Sequence, residues 1–85
     1  MRLVLVEWVD SYGCSPRWGE LEDCSPQLLT CKSVGWLLRD GEDCKVVVPH
    51  VGGDVPGVKS QGCGEMTIPT RAIVRMVDLA EPATL

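Results

Sequence analysis

Catalytic chemistry in this 85-residue chain would depend on its single histidine, His50, and on the cysteines near it. A thiol becomes a nucleophile when a neighbouring base takes its proton and an acidic group orients that base. Cys63 or Cys44 with His50 and Asp54 would fill these roles if the glycine-rich segment folds Cys63 over the imidazole. An imidazole after Pro49 at a strand end is also a typical exposed polar cap. We therefore predict a protein that is not an enzyme, with a thiol hydrolase as an alternative.

Five cysteines are spread along the chain, at Cys14, Cys24, Cys31, Cys44 and Cys63. Their number is odd and we expect a reducing compartment, so the pattern predicts free thiols. Structural zinc sites usually bring their ligands in close pairs such as C-x-x-C, and none occurs here. We predict no metal or other cofactor; the ligand set, if a metal bound, would be Cys14, Cys24 and Cys63 with His50.

Side chains suited to holding a small polar ligand lie at the predicted strand ends. Asp10 and Ser11, after Trp8, offer an acceptor and a hydroxyl, although both residue types also form simple turns. Arg71 and the threonines before it would present a guanidinium and hydroxyls to a phosphate or carboxylate, or Arg71 would pair with an acidic side chain. The complete predicted ligand-binding set is Trp8, Asp10, Ser11, Trp18, Ser33, Trp36, His50, Thr67, Thr70, Arg71 and Arg75.

Apolar runs separated by turn residues predict a mainly-β chain. The segment Arg2–Asp10 has high β-propensity and predicts the first strand. Residues 28–38 and 44–51 predict a hairpin, because the Asp-Gly between them supplies the positive φ of a tight turn. Residues 12–26 and 52–64 predict two long irregular loops, and we expect Trp18 to fold the first one back onto the sheet.

The C-terminal part predicts how the fold closes. Pro69 cannot donate to a ladder and so ends a strand, Thr70–Ala72 fits one turn of 3₁₀ helix, and Ile73 begins another strand. Together these features predict a small five-stranded barrel, a single domain over residues 1–85, with two long loops and a 3₁₀ turn before the last strand.

The predicted hairpin is apolar on both faces. Val34, Trp36 and Leu38 fall on one face and Leu37 on the other, while Gly35 in mid-strand permits a bend or a close approach. A lone small barrel normally shows polar residues outside. Either the outer face is a subunit interface, which predicts a homo-oligomer, or the two long loops cover it.

Composition limits the partners. The net charge of −4 and pI of about 4.7 argue against binding to duplex nucleic acid, which requires clustered cations. No segment is apolar for the roughly 18 residues that cross a bilayer, and no export signal is evident, so we expect a soluble, cytoplasmic protein and no membrane partner. Six acidic residues are predicted to form an acidic surface: Glu20, Glu22, Asp23, Asp40, Glu42 and Asp43. A basic patch would form only if the strands bring together Lys32, Lys45, Arg71 and Arg75.

Several motifs resemble small proteins carried by tailed phages and prophages. They are VEWVDS at residues 6–11, Trp18, SVGWL at residues 33–37, and MTIP at residues 66–69 followed by Ala72 and Ile73. The overall pattern is also similar to Sm-like and SH3-like barrels, in which a 3₁₀ turn precedes the fifth strand. The chain has neither the basic surface of RNA-binding Sm-like proteins nor the aromatic groove of SH3 domains. The phage resemblance implies a counter-defence or host-takeover protein, acting in the cytoplasm of the host cell.

Three functions follow as predictions. The first is non-catalytic sequestration of a small nucleotide-like signalling molecule at an oligomer interface, with indoles stacking on the base. The second is an acidic protein that inhibits a host or defence protein by docking on a basic surface. The third is the hydrolase that uses His50 and a cysteine.

Overall fold

The architecture is known from a computed structural model that describes residues 1–53 and 55–82. Its strands pair only in antiparallel ladders, so the prediction of a mainly-β chain is confirmed. The described residues form seven strands: β1 (Arg2–Asp10), β2 (Leu29–Asp40), β3 (Cys44–Val48), β4 (His50–Gly52), β5 (Gln61–Cys63), β6 (Met66–Pro69) and β7 (Ile73–Asp78).

Five of these strands form one sheet in the order β6-β3-β2-β1-β7, and β4 and β5 form a separate hairpin. Of this hairpin, β5 and Gly52 lie in the segment 52–64 that was predicted to be irregular, whereas His50 and Val51 belong to the predicted run 44–51, which Pro49 divides into β3 and β4. The predicted closed five-stranded barrel is wrong, because no ladder joins β6 to β7 within the described residues. The predicted 3₁₀ turn is confirmed at Thr70–Ala72. It takes the chain from β6, which ends at Pro69, directly into β7 at the opposite edge of the five-stranded sheet.

The central hairpin follows the sequence pattern closely. The first strand has the predicted bounds, and β1 pairs with β2 from Arg2 opposite Leu37 to Asp10 opposite Leu29. Side chains alternate between the two faces of the sheet. Val4 and Val6 point to the inner face, where they are completely buried.

The hydrophobic core lies on the inner face and is small. It consists of aliphatic side chains, with Trp8 and a few residues of the last strands packed at its margin. The core members are Val4, Val6, Leu37, Val47 and Ile68. A core of this size gives the chain little stability to lose.

The opposite side of the sheet, here called the outer face, is also apolar. Its members are brought together by the register, in which Leu5 lies opposite both Val34 and Val77 and Leu3 lies opposite Trp36. Val34 is 51% exposed and Val77 is 37% exposed. The predicted division of β2 into two faces is therefore confirmed, and the outer face is largely uncovered.

The segment between β1 and β2, residues 11–28, is here called the arm. Every residue of the arm is exposed, and its only regular structure is one 3₁₀ turn, Leu21–Asp23. The expectation that Trp18 folds this loop back onto the sheet is wrong, since its side chain is fully exposed. The backbone hydrogen bonds of the turn are internal to the arm, from Asp23 N to Glu20 O and from Cys24 N to Leu21 O, and Pro16 and Pro26 have no N–H to donate to the sheet. The molecule is elongated, with a longest dimension of 61 Å.

Candidate functional site

Two of the predicted ligand-binding residues, Trp8 and Ser33, lie on the inner face of the sheet. These residues lie on adjacent strands, and the Trp8 indole Nε1 donates a hydrogen bond of 3.1 Å to the Ser33 Oγ. An indole has a single N–H donor, so this bond occupies it. Trp8 also packs against the core, which gives the pair a structural role in this conformation.

Asp10 and Ser11 form a local turn. The Ser11 backbone N–H donates to the Asp10 carboxylate Oδ1 over 2.8 Å. This contact accounts for both residues without a ligand. It corresponds to the simple-turn alternative of the sequence analysis.

The predicted ligand-binding residues at and near the 3₁₀ turn Thr70–Ala72 differ in their exposure to solvent. Thr67 and Arg71 are exposed, whereas the Thr70 Oγ1 is buried without a hydrogen-bond partner among the described residues. The Thr70 backbone N–H donates to the Asp43 carbonyl over 2.9 Å, which ties the turn to the β2–β3 connection. Arg75 Nη2 instead donates over 2.7 Å to a carboxylate of the outer face, that of Glu7.

The predicted thiol site is assembled in part. His50 lies directly opposite Cys63 in the β4–β5 ladder, and both residues are exposed. Cys44 is in the other sheet, opposite Pro69, and Asp54 lies outside the described residues. The described residues therefore bring together two of the groups that nucleophilic chemistry would need.

The candidate metal ligands do not converge. Cys14 and Cys24 belong to the arm, while Cys63 and His50 belong to the β4–β5 hairpin. Within residues 1–53 and 55–82, no three His, Cys, Asp or Glu side chains lie close enough to hold a metal ion.

The predicted basic patch is divided by acidic side chains. Lys32 and Arg75 lie on either side of Glu7 on the outer face, since both are its register partners. Lys45 lies at the far end of the sheet and binds the carboxylate of Asp40. Of the four predicted patch residues, Lys32 and Arg75 therefore lie near each other on the outer face, with Glu7 between them.

Asp40 is the centre of an exposed ion-pair cluster. Its hydrogen bond from Lys45, supported by the nearby charges of Lys45 and Arg2, lowers the pKa of the Asp40 carboxyl from its ordinary value, although desolvation opposes the shift. Arg2 Nη1 lies 3.5 Å from Asp40 Oδ2 and Arg2 Nη2 lies 2.7 Å from Asp78 Oδ1. The cluster links β1, β2, β3 and β7 at one end of the sheet.

We expect Asp40→Asn to remove a pH-dependent contribution to stability. Because the folded-state pKa is lowered, the contribution is present above the unfolded-state pKa, about 4, and is lost as the pH falls through the folded-state value. Thermal unfolding of both proteins from pH 7 to pH 2 measures this. The wild type should melt at the higher temperature at pH 7, and the two melting temperatures should converge in acid. A constant difference down to pH 2 would contradict the assignment.

A groove at one corner of the outer face was missed by the sequence analysis. It has a volume of about 360 Å³. The groove forms because β5 lies against β3, where a Cβ added to Gly62 would be 3.0 Å from Val48 Cγ2. We call it the outer groove. Its lining residues are Met1, Leu38, Val48, Val51, Ser60, Gln61, Gly62 and Glu65. The only signal in the sequence was the high glycine content of residues 52–64, which is typical of either a mobile loop or close backbone contact and does not indicate a partner.

Comparison of the chain with protein-family models, curated proteins and solved structures found no match. The resemblance to small tailed-phage proteins therefore stays a prediction. A separate search of the described residues found no helix with the length and apolarity needed to span a membrane.

Proposed function

We propose that this chain is a non-catalytic binding protein that works as an assembly of identical copies, with the outer face buried between them. The observation that supports this is the uncovered apolar outer face, where Val34 and Val77 lie on either side of Leu5. Aliphatic side chains in contact across strands stabilise a protein only when water is excluded from them. A second copy would exclude it.

The surface area of the chain supports the same proposal. One copy exposes 7219 Å², whereas a compact monomer of 9.3 kDa exposes about 5,000 Å². The excess of roughly 2,200 Å² exceeds the ~800 Å² per partner that a standard interface buries. The chain therefore has surface to bury in an extensive interface.

We assign the assembly a small nucleotide-like ligand, held where copies meet. Trp36 supplies a half-buried indole on the outer face, and its Nε1 donates to Glu81 Oε1 over 3.0 Å. Lys32 and Arg75 lie on the same face and would attract a phosphate, although Glu7 between them offsets part of their charge. The phage resemblance suggests a biological context, counter-defence by sequestration of a signal in the host cytoplasm.

The ligand is tested by thermal shift with cyclic dinucleotides and ADP-ribose-type signals. We expect the melting temperature of the assembly to rise with one of them, because a ligand that binds only the folded state stabilises it. Trp36→Leu should abolish that rise while the assembly mass stays the same. The absence of a rise with every nucleotide would refute the assigned ligand class.

The arm favours a second candidate function, inhibition of a basic protein. Glu20, Glu22 and Asp23 are exposed on and beside its 3₁₀ turn and project away from the sheet. The other predicted acidic residues lie apart from these, at the β2–β3 turn, where Asp40 is already paired with Lys45. Binding to a basic host protein that weakens with added salt would support this candidate.

A further inference from the structure

The arm lacks packing contacts that would explain its apolar residues. Trp18 is fully exposed, and Leu21 is 90% exposed. The backbone bonds within the 3₁₀ turn, from Asp23 N to Glu20 O and from Cys24 N to Leu21 O, close the turn on itself. Tryptophan carries more burial free energy than most residues and is enriched where proteins meet. The fully exposed Trp18 is therefore available for contact with another molecule.

The outer groove has the chemistry to receive this indole. Leu38, Val48 and Val51 give it an apolar wall, and Gln61 and Glu65 place oxygen acceptors at its rim. An indole needs this combination, because its rings are apolar and its single N–H must find an acceptor when buried.

The arm and the outer groove lie at opposite ends of the same hairpin. The arm follows Asp10 and precedes Leu29, whereas the outer groove includes Leu38 and Met1, beyond the pair Arg2–Leu37. The ladder between the two ends is about 27 Å long at ~3.4 Å per residue. The arm of one copy therefore points away from its own groove.

We propose that two copies exchange their arms, so that Trp18 of each copy enters the outer groove of the other. Two outer faces packed with a twofold axis between them and their strands antiparallel bring each arm over the partner's groove. This inference rests on the proposed assembly through the outer face. Because Val48 lies opposite Trp36, the exchange brings indoles of different copies to neighbouring positions, where they form the walls of a shared ligand site.

Charge is complementary between the two parts. The arm is net acidic, since Glu20, Glu22 and Asp23 outnumber Arg17, which adjoins Trp18. The cations Arg39 and Lys59 immediately adjoin the groove residues Leu38 and Ser60 in sequence and outnumber Glu65, the acidic residue of the groove lining. Opposite charges around an apolar centre select one orientation of the partner. The same charges add a salt-dependent term to the exchange.

Trp18→Ala and Val51→Glu test the exchange from its two sides. Each variant should weaken self-association at least about 30-fold, as expected for the loss of a buried anchor residue. Val55→Ala, at an exposed valine outside the arm and the groove lining, is the matched control and should associate like the wild type. Light scattering over a concentration series gives the masses, and circular dichroism verifies that each variant keeps its β structure.

Mixing the two variants provides the sharper measurement. Trp18→Ala keeps an intact groove and Val51→Glu keeps an intact arm, so a mixed dimer regains one of the two arm–groove contacts. It should therefore form more tightly than the dimer of either variant alone and more weakly than the wild-type dimer. If Trp18→Ala associates as well as the wild type, or if mixing restores nothing, arm exchange is refuted while the assembly through the outer face stands. A wild type that is monomeric at every concentration refutes both.

Discussion

Replacing Gly35 by valine is expected to lower the free energy of unfolding by about 3 kcal/mol or more. A Cβ at this position would lie 2.7 Å from Val47 Cγ1 and 2.8 Å from the Val48 carbonyl oxygen. The second contact is with backbone, which cannot move without disturbing the β2–β3 ladder. An 85-residue chain has roughly 4 to 13 kcal/mol of stability in total, so this loss removes about a quarter to three quarters of it.

Urea unfolding followed by circular dichroism measures the effect, at one fixed protein concentration because assembly adds to stability. Gly35→Ala should fall between the wild type and Gly35→Val. Gly52→Ala is the matched control, since a Cβ there meets nothing within 4 Å. A Gly35→Val protein as stable as the wild type would show that β2 and β3 can separate at no cost and would contradict the packing described for the core.

Replacing Val34 by glutamate is expected to weaken self-association at least about 30-fold while the chain stays folded. Val34 lies at the middle of the outer face, opposite Leu5, and half of its side chain is exposed in one copy. A carboxylate there is solvated in the free chain but must lose its water in the proposed interface.

Sedimentation or light scattering across the micromolar range detects this change. Val55→Glu adds the same charge at a similarly exposed valine of the β4–β5 connection and should leave association unchanged. Equal weakening by both substitutions would attribute the effect to net charge alone. No weakening by Val34→Glu would exclude the outer face as the interface.

Local signals predicted the parts of this fold that depend on neighbours in sequence. The alternation of apolar residues placed Val34 and Trp36 on the face opposite Leu37. Pro69 and the residues after it predicted the 3₁₀ turn, because proline ends a ladder whatever surrounds it. The mid-strand Gly35 predicted a close approach, which the Val48 backbone makes.

The features that were missed depend on distant parts of the chain. Closure of a barrel requires β6 to pair with β7, and no local pattern reports whether two edge strands meet. The size and apolarity of Trp18 suggested burial against the sheet, but its side chain is exposed, because residue type alone does not indicate a packing partner. The outer groove arises only when Gly62 comes against Val48, fourteen positions earlier in the sequence. Among the predicted ligand-binding residues, Trp8 bonds to Ser33 and Ser11 bonds to Asp10, while the others are spread over the arm, the sheet and the β4–β5 hairpin.

The solution mass of the wild-type protein tests the central claim most directly. Light scattering over a concentration series, under reducing conditions so that the five cysteines form no disulfides, measures it. The proposed function predicts a stable multiple of 9.3 kDa in the micromolar range. A mass of 9.3 kDa at every concentration would contradict it, because the outer face would then be exposed in the working protein.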